Sequence, residues 1–464
     1  MKQVRPYPRL TVTRKAARSL RRGHPWVFEG EVLALEGAPT DGRVAANGDV
    51  VDVFEENGTW QGAGLLSENS KIRVRIVSRN ANDRFDEAFW RRRIAWAWEL
   101  RKTTMGGRNL PGTEPDTNCC RVIFSEADGF PGLVVDRYED VLVAQVGTWG
   151  MERLRPTIYP MLLDVLRADG QEVSAIYERA DSPARRHEGL DLHKGWWQGS
   201  PAGAGEKDAG AGAATGAAGA GATTGSGATT GAGRDSSRVI VRENGIAYDL
   251  DLENSQKTGF FLDQKYNRRA VRELARGRRV LDCFSHVGPF GLNAAMGGAE
   301  FVRCVDVSQT ACDLARENAR LNGLELAEDG TLRMGFTCAN VLEYLPLLRA
   351  DRGRAREEGG PFDLIVLDPP AFTKSRSTVD HALKGYREIN QAAMQLLPRG
   401  GYLATCSCSH FMTTELLSQA IAEAAHNANV QLKQIEQRQQ APDHPILWGV
   451  PETHYLDFFT FQVV

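Results

Sequence analysis

Short apolar runs alternate with amphipathic helical segments through the second half of the chain, from residue 237 to residue 464. This alternation is typical of an α/β fold in which a doubly wound parallel sheet carries helices on both faces. The runs predict strands at residues 279–283, 301–306, 332–336, 363–367 and 402–405, with a closing β region at 431–464. Because parallel strands point the same way, the loops that follow them should collect at one edge of the sheet.

The first part of the chain shows a different pattern, made of short strands and turns. Residues 1–80 predict a small β-barrel-like module, in which residues 71–77 alternate basic and apolar side chains. That alternation predicts a strand with one buried face and one exposed, cationic face. Residues 81–195 favour a central α+β domain, with an amphipathic helix at 86–101 and strands at 120–124, 132–136 and 141–146.

A low-complexity segment separates the central domain from the final one. Residues 199–233 are almost wholly Gly, Ala, Thr and Ser, and we set the limits of the insertion at 196–236. Such a composition buries too little apolar surface to offset the entropy of ordering. As a random coil, about 35 residues span roughly 30 Å, so they do not fix the spacing of their neighbours. We predict a disordered insertion without a chemical role.

Composition limits which partners and which cellular compartment we expect for the protein. The 464 residues carry a formal net charge of −3 at pH 7, which does not favour nucleic-acid binding overall. Basic residues nevertheless crowd the N-terminus, where Arg14, Lys15 and Arg18 belong either to a phosphate-binding patch or to a solvated face. The eight cysteines include no CxxC pair, and no apolar run approaches the ~20 residues that cross a membrane. We therefore expect a cytoplasmic protein with no disulfide framework, no metal site and no membrane partner.

Polar residues follow the first three predicted strands of the final domain. Ser285 and Gly288 lie in the loop after the first strand, Asp306 and Ser308 follow the second, and Asn340 follows the third. A glycine lets the backbone approach a ligand, an acid accepts ribose hydroxyls, and an amide bonds an adenine edge. The loop is not G-x-G-x-x-G, so a dinucleotide fits poorly. Together with an acid after the fourth strand, the pattern indicates S-adenosyl-L-methionine, although each residue alone is as well explained by a helix cap.

The fourth and fifth strands end in residues suited to chemistry on a flat heterocycle. Asp368, Pro369 and Pro370 follow the fourth strand, and Cys406 and Cys408 follow the fifth. If these strands are neighbours, a carboxylate, two rigid prolines and a thiol meet at one edge, which suggests Cys408 as a nucleophile. Composition does not separate Cys408 from Cys406, and an inert buried cysteine is the alternative for either one.

These motifs make the chain resemble the bacterial large-subunit ribosomal RNA cytosine-5 methyltransferases, over nearly its whole length except the Gly/Ala insertion. That family joins a PUA module, a central α+β domain and a Rossmann-like methyltransferase domain. The resemblance implies a PUA RNA-binding domain at 1–80, the central domain at 81–195 and the methyltransferase domain at 237–464. It is carried by residues 24–28 (HPWVF), 128–133 (DGFPGL), 257–264 (KTGFFLDQ), 283–285 (CFS), 368–370 (DPP), 385–386 (GY), 407–409 (SCS) and 443–445 (DHP).

The resemblance also implies roles for individual residues, with Cys408 as the nucleophile and Asp368 as its catalytic partner. The expected cofactor-binding residues are Gln264, Phe284, Ser285, Gly288, Asp306, Ser308, Asn340 and Asp368. The expected substrate-binding residues are Pro369, Pro370, Phe372, His444, Arg14, Lys15 and Arg18. Three positions depart from the family pattern: Asn340 replaces an aspartate, Ala371 replaces a lysine, and Pro289 replaces a second glycine and so removes an N–H donor.

The implied reaction is methylation of carbon 5 of an unpaired or flipped cytosine in large-subunit ribosomal RNA. Carbon 5 is too weakly nucleophilic to accept a methyl group directly, and a thiolate added at carbon 6 activates it. Two alternatives stay open. One is an exocyclic-amine methyltransferase acting on adenine N6 or guanine N2, which needs no thiol, and the other is a non-catalytic RNA-binding ribosome-assembly factor. A homodimer is compatible with the sequence, but no residue requires it.

Overall fold

The computed structural model describes residues 5–105, 116–199, 236–255, 258–327, 329–373 and 375–464. The predicted insertion at 196–236 lies outside the described residues except at its two ends, as does Lys257 of the family motif.

The N-terminal region is one mixed sheet packed against a basic helix. Its elements are β1 (Arg9–Val12), α1 (Arg14–Arg21), β2 (Trp26–Phe28), β3 (Val32–Glu36), β4 (Val50–Glu55), β5 (Trp60–Leu66) and β6 (Ile72–Ser78). The sheet has the order β2-β6-β5-β4-β1-β3. The Thr13 side chain accepts from the Ala16 amide and caps α1, whose Ala16, Ala17 and Leu20 then pack into the core. The opposite face of α1 is left to solvent.

The cationic face predicted for the strand at 71–77 is wrong at Arg75, although Lys71 at its start is exposed. Arg75 in β6 is 8% exposed, because the following domain covers this part of the sheet. Its guanidinium lies 3.0 Å from Glu188 and donates to Ser67 Oγ, so the buried charge is compensated. A two-residue period indicates which side chains share a face, but not whether a second domain lies over that face.

The central region is a five-stranded sheet covered by two long helices. Its elements are α2 (Glu87–Thr104), β7 (Cys119–Phe124), α3 (Ser125–Asp128), β8 (Leu133–Tyr138), β9 (Val141–Val146), α4 (Trp149–Ala168), β10 (Ala175–Ala180), α5 (Ala184–Glu188) and β11 (His193–Trp196). The strand order is β11-β10-β9-β8-β7. As predicted, Trp90, Ile94 and Trp98 form the buried side of α2, and they pack with residues of α4 and the sheet.

The C-terminal region is a seven-stranded sheet preceded by a hairpin. Its elements are β12 (Arg238–Glu243), β13 (Ile246–Asp251), α6 (Lys265–Leu274), β14 (Arg279–Cys283), α7 (Pro289–Met296), β15 (Phe301–Asp306), α8 (Gln309–Leu321), β16 (Met334–Cys338), α9 (Val341–Ala350), α10 (Arg352–Glu357), β17 (Leu364–Leu367), α11 (Val379–Leu396), β18 (Tyr402–Ser407), α12 (Thr414–Ala428), β19 (Leu432–Gln439) and β20 (Asp457–Val463).

This sheet confirms the predicted doubly wound α/β fold. Its order is β16-β15-β14-β17-β18-β20-β19, with β14 to β18 parallel and β20 antiparallel to both β18 and β19. Helices α6, α7 and α8 cover one face and α9, α11 and α12 cover the other, which is why the strands read as continuous apolar runs. The strand order reverses between β14 and β17, the position where open α/β sheets bind ligands.

In the C-terminal domain, two predicted strands differ from the structure by two residues. The third strand begins at Met334 rather than 332, because Leu332 pairs with Leu326 in a separate bridge. The fifth strand continues to Ser407, because its last residues pair with β20 across the antiparallel edge. The second difference places Cys406 inside the strand and Cys408 just beyond its end.

A buried ion pair connects the hairpin to α6. Arg268 donates to Glu243 through two hydrogen bonds of 2.6 and 2.7 Å, and both side chains are almost fully buried. The Arg268 guanidinium also donates to the Phe261 carbonyl, which lies in the segment leading to α6. The pair therefore holds the segment that precedes the sheet.

We expect Glu243→Gln to lower the free energy of unfolding of the C-terminal domain by about 3–5 kcal/mol, because it leaves the Arg268 charge buried without its partner. Urea denaturation measures this change. Asp249→Asn is the matched control in the same hairpin, since Asp249 pairs with Arg238 on the surface and its loss should cost less than about 1 kcal/mol. Equal losses of stability in the two variants would contradict the role of the Glu243–Arg268 pair as a buried ion pair that stabilises this domain.

Candidate active site

The backbone of the loop after β14 has a conformation that allows a ligand to approach it closely. Phe284 and His286 take φ values of +61° and +49°, in the left-handed region that is uncommon for residues with a side chain. Gly288 has φ +83° at the N-cap of α7, and a Cβ there would lie 3.1 Å from Ala315 Cβ. Pro289 is the first residue of α7, where a helix N–H has no intrahelical partner, so the departure noted at this position costs the helix nothing.

Three buried polar atoms along this loop have no hydrogen-bond partner among the described residues. They are Asp282 Oδ1, Ser285 Oγ and His286 Nδ1. Buried polar groups in native proteins are almost always satisfied, so the three atoms fit a polar ligand at this edge. Asp282 is a residue that sequence reasoning missed as a site residue. Burial raises the pKa of Asp282 to about 8, helped by the carboxylates of Asp368 and Asp306. A pKa shifted this far is typical of functional sites and identifies Asp282 as a candidate site residue.

Asp306 lies at the end of β15, beside the same loop. Its carboxylate accepts from the backbone amides of His286 and Ser308, each at 2.9 Å, which fixes its orientation and leaves acceptor capacity on both oxygens. Val307, the next residue, is 73% exposed and was not predicted as a site residue. An exposed apolar side chain beside an oriented carboxylate suits a nucleoside, with the ribose on the carboxylate and the base on the apolar side chain.

Two other predicted cofactor residues have local structural roles. The Ser308 hydroxyl caps α8 by accepting from Ala311, and the Asn340 amide oxygen caps α9 by accepting from Leu342. Both residues stand at the ligand-binding edge of the sheet, after β15 and β16, and both are exposed. Their contacts with a cofactor remain predictions, and the helix-cap interpretation accounts for their positions.

Asp368 is the end of a chain of side-chain hydrogen bonds. Gln264 Nε2 donates to Asp368 Oδ1 at 3.0 Å, and Asn267 Nδ2 donates to Gln264 Oε1 at 2.7 Å. The second bond fixes which end of the Gln264 amide faces the carboxylate. Burial, together with the charge of Asp263, raises the pKa of Asp368 to about 6. Asp368 is therefore a carboxyl group whose protonation changes close to neutral pH.

The structure separates the two cysteines that composition could not separate. Cys406, inside β18, is 0% exposed, and burial next to Asp368 raises the pKa of its thiol well above the usual range. Cys408 is half-buried, with Sγ 3.7 Å from the Pro369 carbonyl oxygen. A nucleophile has to reach its substrate, and only the thiolate reacts, so Cys408 is the better candidate.

The residues around the DPP segment hold it firmly. Phe372 packs against Tyr386 with ring centroids 4.8 Å apart, and Ser409 Oγ donates to the Thr373 carbonyl at 2.9 Å. Because Ser409 follows Cys408, this bond links the thiol segment to the segment that carries Asp368. Pro370 is exposed and Pro369 is buried. The predicted substrate residues Pro369, Pro370 and Phe372 thus lie together beside Cys408.

A cleft of about 510 Å³ opens between the central and C-terminal regions. Aromatic rings form much of its wall, and Tyr455 donates to Asp263 Oδ2 at 2.8 Å across it. His444 lines the cleft, with its ring 5.5 Å from that of Phe124 and its Nδ1 2.9 Å from Asp443 Oδ1. The aromatic residues that line the cleft are Phe124, Phe260, Phe261, His444 and Tyr455.

This cleft adjoins the edge of the sheet where the other site residues lie. Phe261 lines the cleft, and its ring centroid is 5.3 Å from that of His286 in the loop after β14. Asp263 lines it too and directly precedes Gln264, the partner of Asp368. Of the predicted substrate residues, the structure brings His444 to the cleft, whereas Arg14, Lys15 and Arg18 lie on the exposed face of α1.

Neither a cluster of metal ligands nor a membrane-spanning helix is found in the part of the chain that the structure covers. No three His, Cys, Asp or Glu side chains there group together as metal ligands. None of the helices in the described ranges is long and apolar enough to span a membrane.

A parallel sheet with an oriented acid after β15 and unsatisfied polar atoms at the end of β14 and in its loop fits a nucleoside cofactor, and the comparisons give the class of protein as an S-adenosylmethionine-dependent methyltransferase. A family model described as S-adenosylmethionine-dependent methyltransferase matches residues 229–451, and a PUA-like domain model matches residues 10–79. A solved SAM-dependent methyltransferase from Streptococcus mutans has the same fold, with a TM-score of 0.71 at 19% identity over 98% of this chain and all of that one. A methyltransferase complexed with SAH aligns equally well, with a TM-score of 0.71.

Curated relatives specify the family. The ribosomal RNA large subunit methyltransferase I of Aeromonas salmonicida is 36% identical over 439 residues, 95% of each chain. Those of Klebsiella pneumoniae and Shewanella denitrificans are 34% and 37% identical, over 99% and 95% of each chain respectively. The chain belongs to the ribosomal RNA large subunit methyltransferase I family.

We expect Asp306→Ala to weaken the binding of S-adenosylmethionine about tenfold to hundredfold, because hydrogen bonds to a charged acceptor are lost. Calorimetric titration of the full chain measures this. Asp313→Ala, on the exposed side of α8, is the matched control and should bind as the wild type does. Unchanged affinity in the Asp306 variant would remove this residue from the cofactor site.

Proposed function

We propose that this protein methylates carbon 5 of a cytosine in large-subunit ribosomal RNA, with Cys408 as the nucleophile. The observation that carries the proposal is the position of Cys408, half-buried at the end of β18 with its sulfur against the DPP segment. An amine-methylating enzyme has no use for a thiol at this place. The names of the relatives support ribosomal RNA as the substrate, and we place the protein in the cytoplasm, where that substrate is made.

S-adenosylmethionine, when bound, supplies an electrophilic methyl group, and Asp282, Ser285 and Asp306 are the residues that would hold it. The Cys408 thiolate adds to carbon 6 of the cytosine, which moves the electron pair of the C5–C6 bond onto carbon 5 and makes that carbon nucleophilic. Carbon 5 takes the methyl group, with S-adenosylhomocysteine as the leaving group. A base, which the described residues do not identify and which water can supply, then takes the carbon-5 proton, the C5–C6 double bond re-forms and the Cys408 thiolate leaves carbon 6. The same thiol therefore carries out both attack and release.

Asp368 is the group that recognises the base in this scheme. Its carboxylate accepts from the exocyclic amine of cytosine, a donor that uracil lacks, so it also selects the base. Gln264 holds the carboxylate from one side at 3.0 Å, which limits the directions in which it accepts from the base. Charge develops on the ring when the thiolate adds, and an oriented group at this edge stabilises it.

A paired cytosine cannot place carbon 6 against a half-buried sulfur, so the target base is unpaired or turned out of its helix. The aromatic wall of the 510 Å³ cleft offers stacking surfaces for bases next to the reaction edge. His444 donates through Nδ1 to the Asp443 carboxylate, which leaves Nε2 as the ring nitrogen for a contact with the RNA.

We expect Cys408→Ala to abolish 5-methylcytosine formation and Cys406→Ala to retain most of it, because only the first removes the reacting thiol. Mass-spectrometric mapping of ribosomal RNA from cells that carry each variant in place of the gene measures the product. RNA containing 5-fluorocytidine adds a second readout, since carbon 5 then has no proton to lose. A covalent complex should accumulate with the wild type and with Cys406→Ala, but not with Cys408→Ala.

Turnover that survives Cys408→Ala would contradict the proposal and favour methylation of an exocyclic amine. Loss of both product and covalent complex in Cys406→Ala alone would instead assign the nucleophile to Cys406. Cofactor binding measured on each variant distinguishes these outcomes from misfolding.

Below about pH 6 we expect kcat/KM to lose about a further factor of ten for each pH unit, in addition to the loss from protonating the Cys408 thiolate, because Asp368 has to be ionised to accept from the cytosine amine. The raised pKa places this acid limb near 6, whereas a carboxyl with the usual Asp value of 3.8 would lose its charge only in much stronger acid. Initial rates measured from pH 5 to 8 test this. In Asp368→Asn this additional loss should disappear together with most of the activity, leaving the pH dependence of the thiolate. An additional loss below pH 6 that persists in that variant would assign the titration to another group.

A further inference from the structure

The loop between β19 and β20 connects two parts of the molecule. It begins beside the cleft, where Asp443 and His444 are buried, and four residues further on it presents Trp448 to solvent. Trp448 is 93% exposed, the highest value for any large apolar side chain in the described part of the chain. An indole so exposed adds nothing to the packing of the fold. Four residues reach at most about 14 Å, so Trp448 lies within that distance of His444, which lines the cleft.

The same loop is fastened to the N-terminal module directly beside Trp448. The Trp448 carbonyl oxygen is 3.6 Å from the position of a Cβ on Gly23, and a Cβ on Gly449 would be 3.0 Å from the Arg22 carbonyl oxygen. Gly449 has φ +91° and Gly23 has φ +105°, so both turns take a form that favours glycine. His24 Nε2 lies 3.6 Å from Glu452, which ties a second point of the loop to the module. Trp448 is thereby held at the C-terminal end of α1.

Charge on α1 is arranged in two stripes. Arg14 lies 3.8 Å from Glu56 and Arg21 lies 2.8 Å from Glu55, so acids partly neutralise this stripe. A second stripe of Lys15, Arg18 and Arg22 is spaced three and four residues apart and faces away from the core of the module. Within the described ranges, no acid lies in ion-pair distance of these three side chains. This unpaired stripe runs along α1 and ends next to Trp448.

An exposed indole at the end of an unpaired basic stripe matches the chemistry of single-stranded RNA. Aromatic side chains stack on unpaired bases whatever their sequence, while lysine and arginine follow the phosphates. Tryptophan also anchors protein–protein interfaces, but the names of the relatives point to RNA as the substrate, and RNA uses both the ring and the basic stripe. Because the loop leads from the indole to the cleft, one strand can contact both.

We propose that Trp448 is a stacking platform for an unpaired base of the substrate RNA, whose backbone lies along Lys15, Arg18 and Arg22. The proposal rests on RNA being the substrate, but it does not depend on which atom is methylated. It extends the substrate site from the cleft to the N-terminal module. The RNA region next to the target nucleotide is then also required to be unpaired.

The test compares Trp448→Ala with the wild type in binding a short single-stranded oligoribonucleotide and the duplex of the same sequence, without cofactor. Fluorescence anisotropy of the labelled RNA measures both affinities. We expect binding of the single strand to weaken about fivefold to hundredfold, and binding of the duplex to change less than about twofold. Trp448→Phe should recover most of the affinity, because a phenyl ring also stacks. Trp96→Ala is the matched control, since Trp96 is an exposed tryptophan on α2.

Wild-type affinity for the single strand in Trp448→Ala would overturn the proposal, as would an equal loss for single strand and duplex. We expect the Trp448→Ala variant to fold, because Trp448 is exposed. Unchanged binding of S-adenosylmethionine by the variant would show that it does. The outcome is independent of the proposed reaction. If the wild type made no 5-methylcytosine, the proposed function would fail, whereas a selective loss of single-strand binding would still support the platform.

Discussion

The buried carboxylate of Asp443 is the interaction on which the arrangement of the site depends. It accepts from the Arg121 amide at 3.0 Å and from His444 Nδ1 at 2.9 Å, and it lies 3.5 Å from the Lys265 ammonium. The Asp443 carbonyl accepts from the buried Arg101. Burial works to raise the pKa of this carboxyl, but Lys265 and His444 outweigh it and hold the pKa well below its usual range. A charge that is buried without such partners costs several kcal/mol, so the central region, α6 and the last loop are held together around it.

Negative charge accumulates at the other side of the site. Asp282, Asp306 and Asp368 stand at the ends of three adjacent strands. Burial, with the charges of Asp368 and Asp306, raises the pKa of Asp282 to about 8, and burial, with the charge of Asp263, raises that of Asp368 to about 6. Arg268 opposes both shifts but is committed to Glu243. A sulfonium cofactor carries a positive charge, so an edge with uncompensated carboxylates favours it electrostatically. The same carboxylates therefore repel one another in the free protein and attract a cationic cofactor.

Much of this site follows from local sequence, because strand ends and turn residues can be recognised without a fold. Asp306, Asp368 and Cys408 follow apolar runs, and the parallel sheet brings these ends to one edge, as expected. Asp282 was missed because it lies within a strand, where the sequence pattern gives no reason to separate an acid from the apolar residues around it. Trp448 was missed because no pattern indicates that a tryptophan between Leu447 and Gly449 is exposed. The cationic face assigned to the strand with Arg75 was wrong, since a neighbouring domain covers it.

Periodicity and residue type were enough to predict the succession of strands and helices along the chain, the class of fold and the chemical groups at the strand ends. The tertiary structure was needed to distinguish the surroundings of the two thiols at this strand. Pairing with β20 extends β18 past Cys406 and buries it, whereas Cys408 lies just beyond the strand and is half-buried. Tertiary structure also decided that Asp443 lies against Arg121, a residue 322 positions away in the chain. Burial and the pairing of charges depend on contacts between distant segments, and no local pattern encodes them.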